Sequence, residues 1–279
     1  DFVGDKEISL PSASGQVWSP KNFDGKTNGV VPLYLALNRS LNLAMVNLGV
    51  TLGLEKVQKE FELLTGRKPR NQFPSFLLGA EPMSPLEVSE LYSNFASGGF
   101  NLKPKAVIDV LDSAGSPLSH HSIVLEQTIN PTISNTLNRS LELTMRRGTG
   151  RFSSFSKSGV AGKTGTTNDN RDSWFAGFDD NKLAVFWVGR DDNKSSGLSG
   201  ASGALKLWDA SLRRIGVSPL SITKDETMID IEYSTGKMAR PSCADTVRIP
   251  VRDLTKLSTK AGCSLGKTLG ERLRSLFTN

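Results

Sequence analysis

The sequence predicts an α+β fold, an antiparallel strand meander bracketed by helices, with a small β-containing C-terminal appendage. Three observations carry this. The run Gly159-Val160-Ala161-Gly162-Lys163-Thr164-Gly165-Thr166-Thr167 leads into two strand-like segments, Ser173–Phe178 and Leu183–Gly189, joined by the turn Asp179–Lys182. Helical patterns lie before and after this meander and do not alternate with strands. Residues 219–279 then hold two more strand-like segments, 227–233 and 247–251, ahead of a basic end with Lys256, Lys260, Lys267, Arg272 and Arg274.

In chain order, residues 1–30 are rich in Gly, Ser, Pro, Asn and Asp and read as loop or turn. From Val31 the pattern turns helical through Leu33, Leu35, Ala36 and Leu37. A second run covers Leu43–Leu52, and a third covers Leu54–Leu64 with Gly66 as a stop. Ser40 falls at the junction of the first two helices, where a serine commonly serves as an N-cap. Residues 67–85 read as loop. The next helix has a clear start, with Ser84 as N-cap, Pro85 at the first position and Glu87 three residues on, and it stops near Ala96 before Gly98-Gly99. Residues 101–126 read as a strand, a turn at Asp112–Gly115, and a second strand. Another helix spans Ile133–Arg147 and ends in Gly148-Thr149-Gly150, so Thr149 is either a helix cap or part of a loop at the rim of a site. After the meander, Gly200–Ala204 opens a helix whose Leu205, Leu207, Trp208, Leu212 and Ile215 recur at helical spacing.

The 279 residues suffice for one large domain with an appendage, and 37% hydrophobic with 22% charged residues is ordinary globular composition. The net charge of +6 is small and spread along the chain, without a helix-turn-helix, zinc-finger or aromatic RNA-binding signature. No nucleic acid is therefore expected, and the basic balance suits an anionic substrate or surface. There is no run of 18 apolar residues, so any membrane anchor is expected to lie outside this sequence. His120 and His121 sit in a polar stretch that reads as an exposed loop, and they make no ligand spacing with Cys243 and Cys263. No metal and no cofactor is expected. The two cysteines fit one disulfide in an oxidising compartment or two free thiols in a reducing one, and composition leaves both open.

The chemistry concentrates at Lys163-Thr164-Gly165. A lysine on an edge strand supplies a point charge for a carboxylate, and Gly165 clears space for a second backbone. Thr164, Thr166 and Thr167 add hydroxyls, and an unpaired edge offers N–H and C=O groups to an extended peptide. Together these suit the capture of a peptide carboxyl terminus. The triplet alone is a weak signal, but the longer run from Ala161 to Thr167, followed by Asp172-Ser173-Trp174-Phe175-Ala176-Gly177, is far more specific. It resembles the third motif of the active-site-serine penicillin-binding proteins, and Ser40-Leu41-Asn42 matches their second motif. Further stretches, among them Gly15–Pro20, Val46–Gly49, Leu77–Ala80, Arg147–Gly150 and Trp187–Asp191, extend the likeness in order over most of residues 15–204. The sequence as a whole is similar to the transpeptidase domain of bifunctional, class A penicillin-binding proteins of Gram-negative bacteria.

That resemblance implies a central antiparallel sheet with helices on both faces, and acyl transfer from a D-Ala–D-Ala stem peptide through a serine acyl-enzyme. In this scheme Ser40 relays a proton, Asn42 holds the substrate amide and the catalytic lysine, and Lys163 supports Ser40 and raises the local potential. Thr164 and Thr166 take the substrate carboxylate, flanked by Gly165 and Thr167, and the Thr166 N–H serves as an oxyanion donor. The implied partners are peptidoglycan stem peptides, β-lactams and outer-membrane lipoprotein or divisome regulators, at the periplasmic face of the inner membrane.

One motif departs from the pattern. The family's nucleophile motif, Ser-x-x-Lys, precedes Ser-x-Asn, yet none occurs in the 39 residues before Ser40. The pattern does occur at Ser154–Lys157, Ser221–Lys224, Ser234–Lys237 and Ser264–Lys267, all after the second motif and in loop-like or tail sequence. These read as chance matches. Residues 1–218 are thus expected to be a partial transpeptidase domain lacking the nucleophile segment, with 219–279 as the appendage. The chain, which opens on Asp1, is expected to be inactive without the missing N-terminal part of the same protein. Two other readings remain at this level. One is a related D,D-carboxypeptidase or β-lactamase, and the other a non-catalytic peptide- or partner-binding module that keeps the cleft.

Overall fold

The computed structural model describes residues 1–12, 15–221, 227–241 and 243–251. In chain order, strand β1 (Phe2–Asp5) is followed by β2 (Leu10–Pro11), β3 (Val17–Trp18) and β4 (Gly29–Pro32). Helices α1 (Leu33–Arg39), α2 (Asn42–Leu52) and α3 (Leu54–Thr65) come next, then a 3-10 turn at Pro74–Leu78 and α4 (Pro85–Ala96). Strands β5 (Phe100–Asn101), β6 (Asp109–Leu111), β7 (Pro117–His120) and β8 (Glu126–Gln127) lead to α5 (Pro131–Arg147). The meander is β9 (Ala161–Thr166), β10 (Ser173–Phe178) and β11 (Leu183–Val188), followed by α6 (Ala204–Ile215) and the ribbon β12 (Met228–Glu232) with β13 (Thr246–Pro250).

The meander forms an antiparallel sheet in the order β11-β10-β9, which leaves β9 on an edge. Side chains alternate between its faces. Phe175 and Gly177 face α6, where Trp208 is 1% exposed and packs with Phe175, Leu205 and Leu212. Gly177 makes room for the indole, since a Cβ there would come 2.8 Å from the Trp208 ring. Burial of a side chain this large contributes roughly 2–3 kcal/mol. Ala161 and Phe178 point the other way, into a cluster with Leu141 of α5 and Tyr92 and Phe95 of α4. Helices therefore cover both faces, as the family likeness implies.

The α4 capping box forms as expected, with Ser84 Oγ accepting from Glu87 N at 3.2 Å and Glu87 Oε2 accepting from Ser84 N at 2.7 Å. Helix α5 begins two residues earlier than its apolar pattern, because Asn130 Oδ1 caps Thr132 N at 3.0 Å and Pro131 pre-sets the first turn. Residues 1–30 are not all loop. Strand β1 pairs with β4 from Phe2↔Pro32 to Asp5↔Gly29, so the helical pattern starts at Leu33 and not at Val31. His120 lies on β7 and not in a loop, with Nδ1 2.5 Å from Asp109 Oδ1 on β6.

The β12–β13 ribbon does not stand apart. Ile231, Tyr233 and Val247 share one apolar cluster with Val3, Val31, Leu35 and Ala44. Arg147 of α5 pairs with Asp245 and lies over the Tyr233 ring at 4.1 Å. Cys263 lies outside the described residues, and with it the Cys243–Cys263 pairing. No helix of the described residues is long and apolar enough to cross a membrane.

Candidate active site

Ser40 terminates α1 in the left-handed conformation, φ 55° and ψ 50°. It is therefore not the N-cap of α2. That position belongs to Leu41, which makes no side-chain cap. A serine without glycine's freedom is held here only if its surroundings fix it, and such residues cluster at functional sites. The backbone is held by the helix-end bonds Ser40 N to Leu37 O at 3.1 Å and Leu41 N to Ala36 O at 2.9 Å. The side chain is held by Lys163 on β9, whose Nζ donates to Ser40 Oγ at 2.8 Å and to Thr164 O at 3.0 Å. By strand alternation Lys163 shares the face of Ala161, Ala176 and Phe178, the face that α5 covers. Desolvation pushes its ammonium down from 10.5 to about 8, and no ion pair among the described residues offsets this.

The edge is braced from three sides. Thr164 Oγ1 donates to Thr149 Oγ1 at 2.7 Å, and Thr149 N donates to Asn38 O at 3.1 Å, so α1, the end of α5 and β9 meet at one point. Thr149 is thus not the cap of α5, a position that Gly148 holds, but part of the loop that meets β9. Thr166 Oγ1 accepts from Gly200 N at 2.9 Å, while Thr167 Oγ1 donates to Asp172 Oδ2 at 2.9 Å. The Gly200 backbone passes close to β9, since a Cβ on Gly200 would fall 2.6 Å from Gly165 O, whereas a Cβ on Gly165 itself would meet the Trp174 side chain at 3.0 Å and no backbone.

Asn42 Nδ2 donates to Lys21 O at 2.8 Å, and among the described residues it makes no hydrogen bond with Ser40 or Lys163. The start of α2 is held by a residue the sequence did not single out. Asn22 Oδ1 accepts from Leu43 N at 3.1 Å, and Asn22 Nδ2 donates to the two carboxylate oxygens of Asp5 at 2.9 and 3.0 Å. Asp5 is fully buried and also accepts from Asn28 N at 2.8 Å. Replacing Asn22 with Ala removes this capping and leaves a buried carboxylate short of donors, at a cost of about 3 kcal/mol. Thermal unfolding measures it, and an unchanged midpoint would show that the network contributes nothing.

Of the four Ser-x-x-Lys patterns, Ser154 is engaged by Arg213 Nη2 at 2.6 Å, away from Lys163, and Ser234–Lys237 forms the turn after β12. Ser221–Lys224 lies partly, and Ser264–Lys267 wholly, outside the described residues. Among the described residues no group of three His, Cys, Asp or Glu side chains is placed to hold a metal ion.

The model for the penicillin-binding protein transpeptidase domain matches residues 6–206. The chain belongs to this family. Penicillin-binding protein 1B of Vibrio cholerae is 34% identical over 254 residues, which cover 89% of this chain and 33% of that protein. The chain thus spans about a third of the length of that relative. Among solved structures, penicillin-binding protein 1A of Haemophilus influenzae superposes with a TM-score of 0.76 at 22% identity, over 91% of this chain and 46% of that one. The PonA1 protein of Mycobacterium tuberculosis, in complex with penicillin V, gives 0.63 at 19% identity, over 80% and 65%. These likenesses place the three-stranded sheet and its flanking helices in the penicillin-binding transpeptidase fold.

Proposed function

We propose that this chain is the carboxylate-binding portion of a serine D,D-transpeptidase, in a bifunctional enzyme that cross-links peptidoglycan. The observation that carries the proposal is the Lys163–Ser40 bond, which joins the free edge of β9 to the α1–α2 junction. A D-Ala–D-Ala stem peptide, or a β-lactam in its place, lies along β9. Its carboxylate is taken by Thr164 and Thr166 in the potential of Lys163, with Gly165 and Thr167 flanking. Donors fixed in advance at such an edge contribute on the order of 3 kcal/mol each to an oxyanion. Ser40 relays the proton to the leaving amine, and Asn42 turns from Lys21 toward the substrate amide and the base.

A preceding segment of the parent protein supplies the nucleophile, so the chain alone does not acylate. Residues 1–218 form the partial catalytic domain and 219–279 the appendage, whose β12–β13 ribbon packs on α1 and α5. The parent sits at the periplasmic face of the inner membrane, where lipoprotein or divisome regulators reach it.

Fluorescent penicillin followed by intact-mass measurement tests the proposal. The expected result is no adduct on this chain and one adduct per chain when the Ser-x-x-Lys segment is restored at its N-terminal side. A covalent adduct on residues 1–279 alone would overturn the missing-nucleophile reading.

A further inference from the structure

On the two strands beyond β9 the sheet carries an aromatic pair that the acyl-transfer scheme does not use. Trp174 and Trp187 are direct cross-strand partners on β10 and β11, with ring centroids 6.1 Å apart and planes at 44°. By alternation both lie on the Lys163 face of the sheet. Trp187 is 40% exposed, yet it is firmly held. Its Nε1 donates to Asp172 Oδ1 at 2.9 Å, and Gly189 lies against the ring so closely that a Cβ there would come within 2.3 Å of it.

Asp172 is the second half of the feature. Its carboxylate accepts from two neutral side-chain donors, Trp187 Nε1 and Thr167 Oγ1, and no ion pair among the described residues involves it. The neighbouring guanidinium groups are engaged elsewhere, Arg171 with Asp169 and Arg190 with Asp192. An uncompensated carboxylate beside a part-exposed indole favours a cation, through its charge and through the ring quadrupole.

We propose that Asp172, Trp174 and Trp187 form a subsite for an ammonium group on a long side chain of the bound peptide. The proposal rests on the reading of β9 as the peptide-binding edge. Asp172 bonds to Thr167 at the end of β9, so the carboxylate lies where the body of such a peptide leaves the edge. Gly165 projects no side chain over the face it shares with Trp174, so an unbranched aliphatic chain can cross it to the indoles.

The test uses the chain labelled with fluorotryptophan, which places reporters at Trp18, Trp174, Trp187 and Trp208. It is titrated with Nα-acetyl-L-Lys-D-Ala-D-Ala, with the same peptide acetylated on the side-chain amine, and with pentylammonium chloride. The free-amine peptide is expected to bind about 3–10-fold tighter than its acetylated form and to shift the Trp187 resonance. Asp172→Asn and Trp187→Leu are each expected to reduce that ratio to within about twofold, and a ratio of two ligands cancels any general loss of folded protein. Equal affinities for the two peptides would overturn the subsite while leaving the carboxylate reading of β9 in place. Pentylammonium that shifts Trp187 in the parent chain but not in Asp172→Asn, with neither peptide bound, would support the subsite and overturn the peptide reading. Resonances of Trp174 and Trp187 unmoved by all three ligands would overturn the subsite outright.

Discussion

Lys163→Met is expected to lower the affinity for a D-Ala–D-Ala carboxylate by roughly 10–100-fold, the value of one charge-assisted hydrogen bond. Methionine keeps most of the volume beside Ser40 and removes the charge. Titration of the acetylated tripeptide into both chains by calorimetry measures the loss, and equal affinities would remove Lys163 from the site. The pH dependence follows from the same group. With its pKa near 8, the ammonium is charged below that value, so affinity for the anion is full there and falls as pH rises through it. Fold stability runs the other way. The unfolded lysine titrates at 10.5, so between about 8 and 10.5 the unfolded chain binds more protons and stability rises with pH. Lys163→Met should show neither trend.

Gly148→Ala is expected to be the most damaging single methyl addition near the site. A Cβ at this position would sit 2.2 Å from Asn38 O and 2.9 Å from Thr144 O, both backbone atoms that cannot swing aside. Relief requires separating α1 from the end of α5, where Thr149 N bonds Asn38 O. A loss of about 3 kcal/mol and a fall in unfolding midpoint of roughly 6–12 °C should follow. The tripeptide affinity should fall as well, because Thr149 holds Thr164. A midpoint within about 2 °C of the parent would show that the junction yields more easily than its geometry implies.

The elements most legible in the sequence are those specified locally. The β10–β11 hairpin is written in apolar and aromatic residues around a polar turn, and α4 carries both halves of its capping box. Strands β1 and β4 were not legible, because each is four residues long and its partner lies beyond two other short strands. The site divides in the same way. Lys163, Thr164 and Gly165 announce themselves on one strand, whereas Ser40 lies 123 residues away and carries a signal only through its match to a family motif. Asn22 and Asp5 gave no signal, since a buried amide bridging a carboxylate to a helix start has no fixed spacing. Trp174 and Trp187 read as strand residues, and only the cross-strand register shows them as a pair, with Asp172 bonded to the indole N–H of Trp187.

The left-handed backbone at Ser40 sets stability and chemistry against each other. Glycine adopts that conformation freely, whereas serine holds it at a cost of roughly 1 kcal/mol. A population screened only for heat resistance would therefore drift toward glycine at this position and discard the hydroxyl that Lys163 holds. Persistence of serine across chains of this type would record selection on the reaction, and a glycine there would mark a lineage that has kept the scaffold and given up the chemistry.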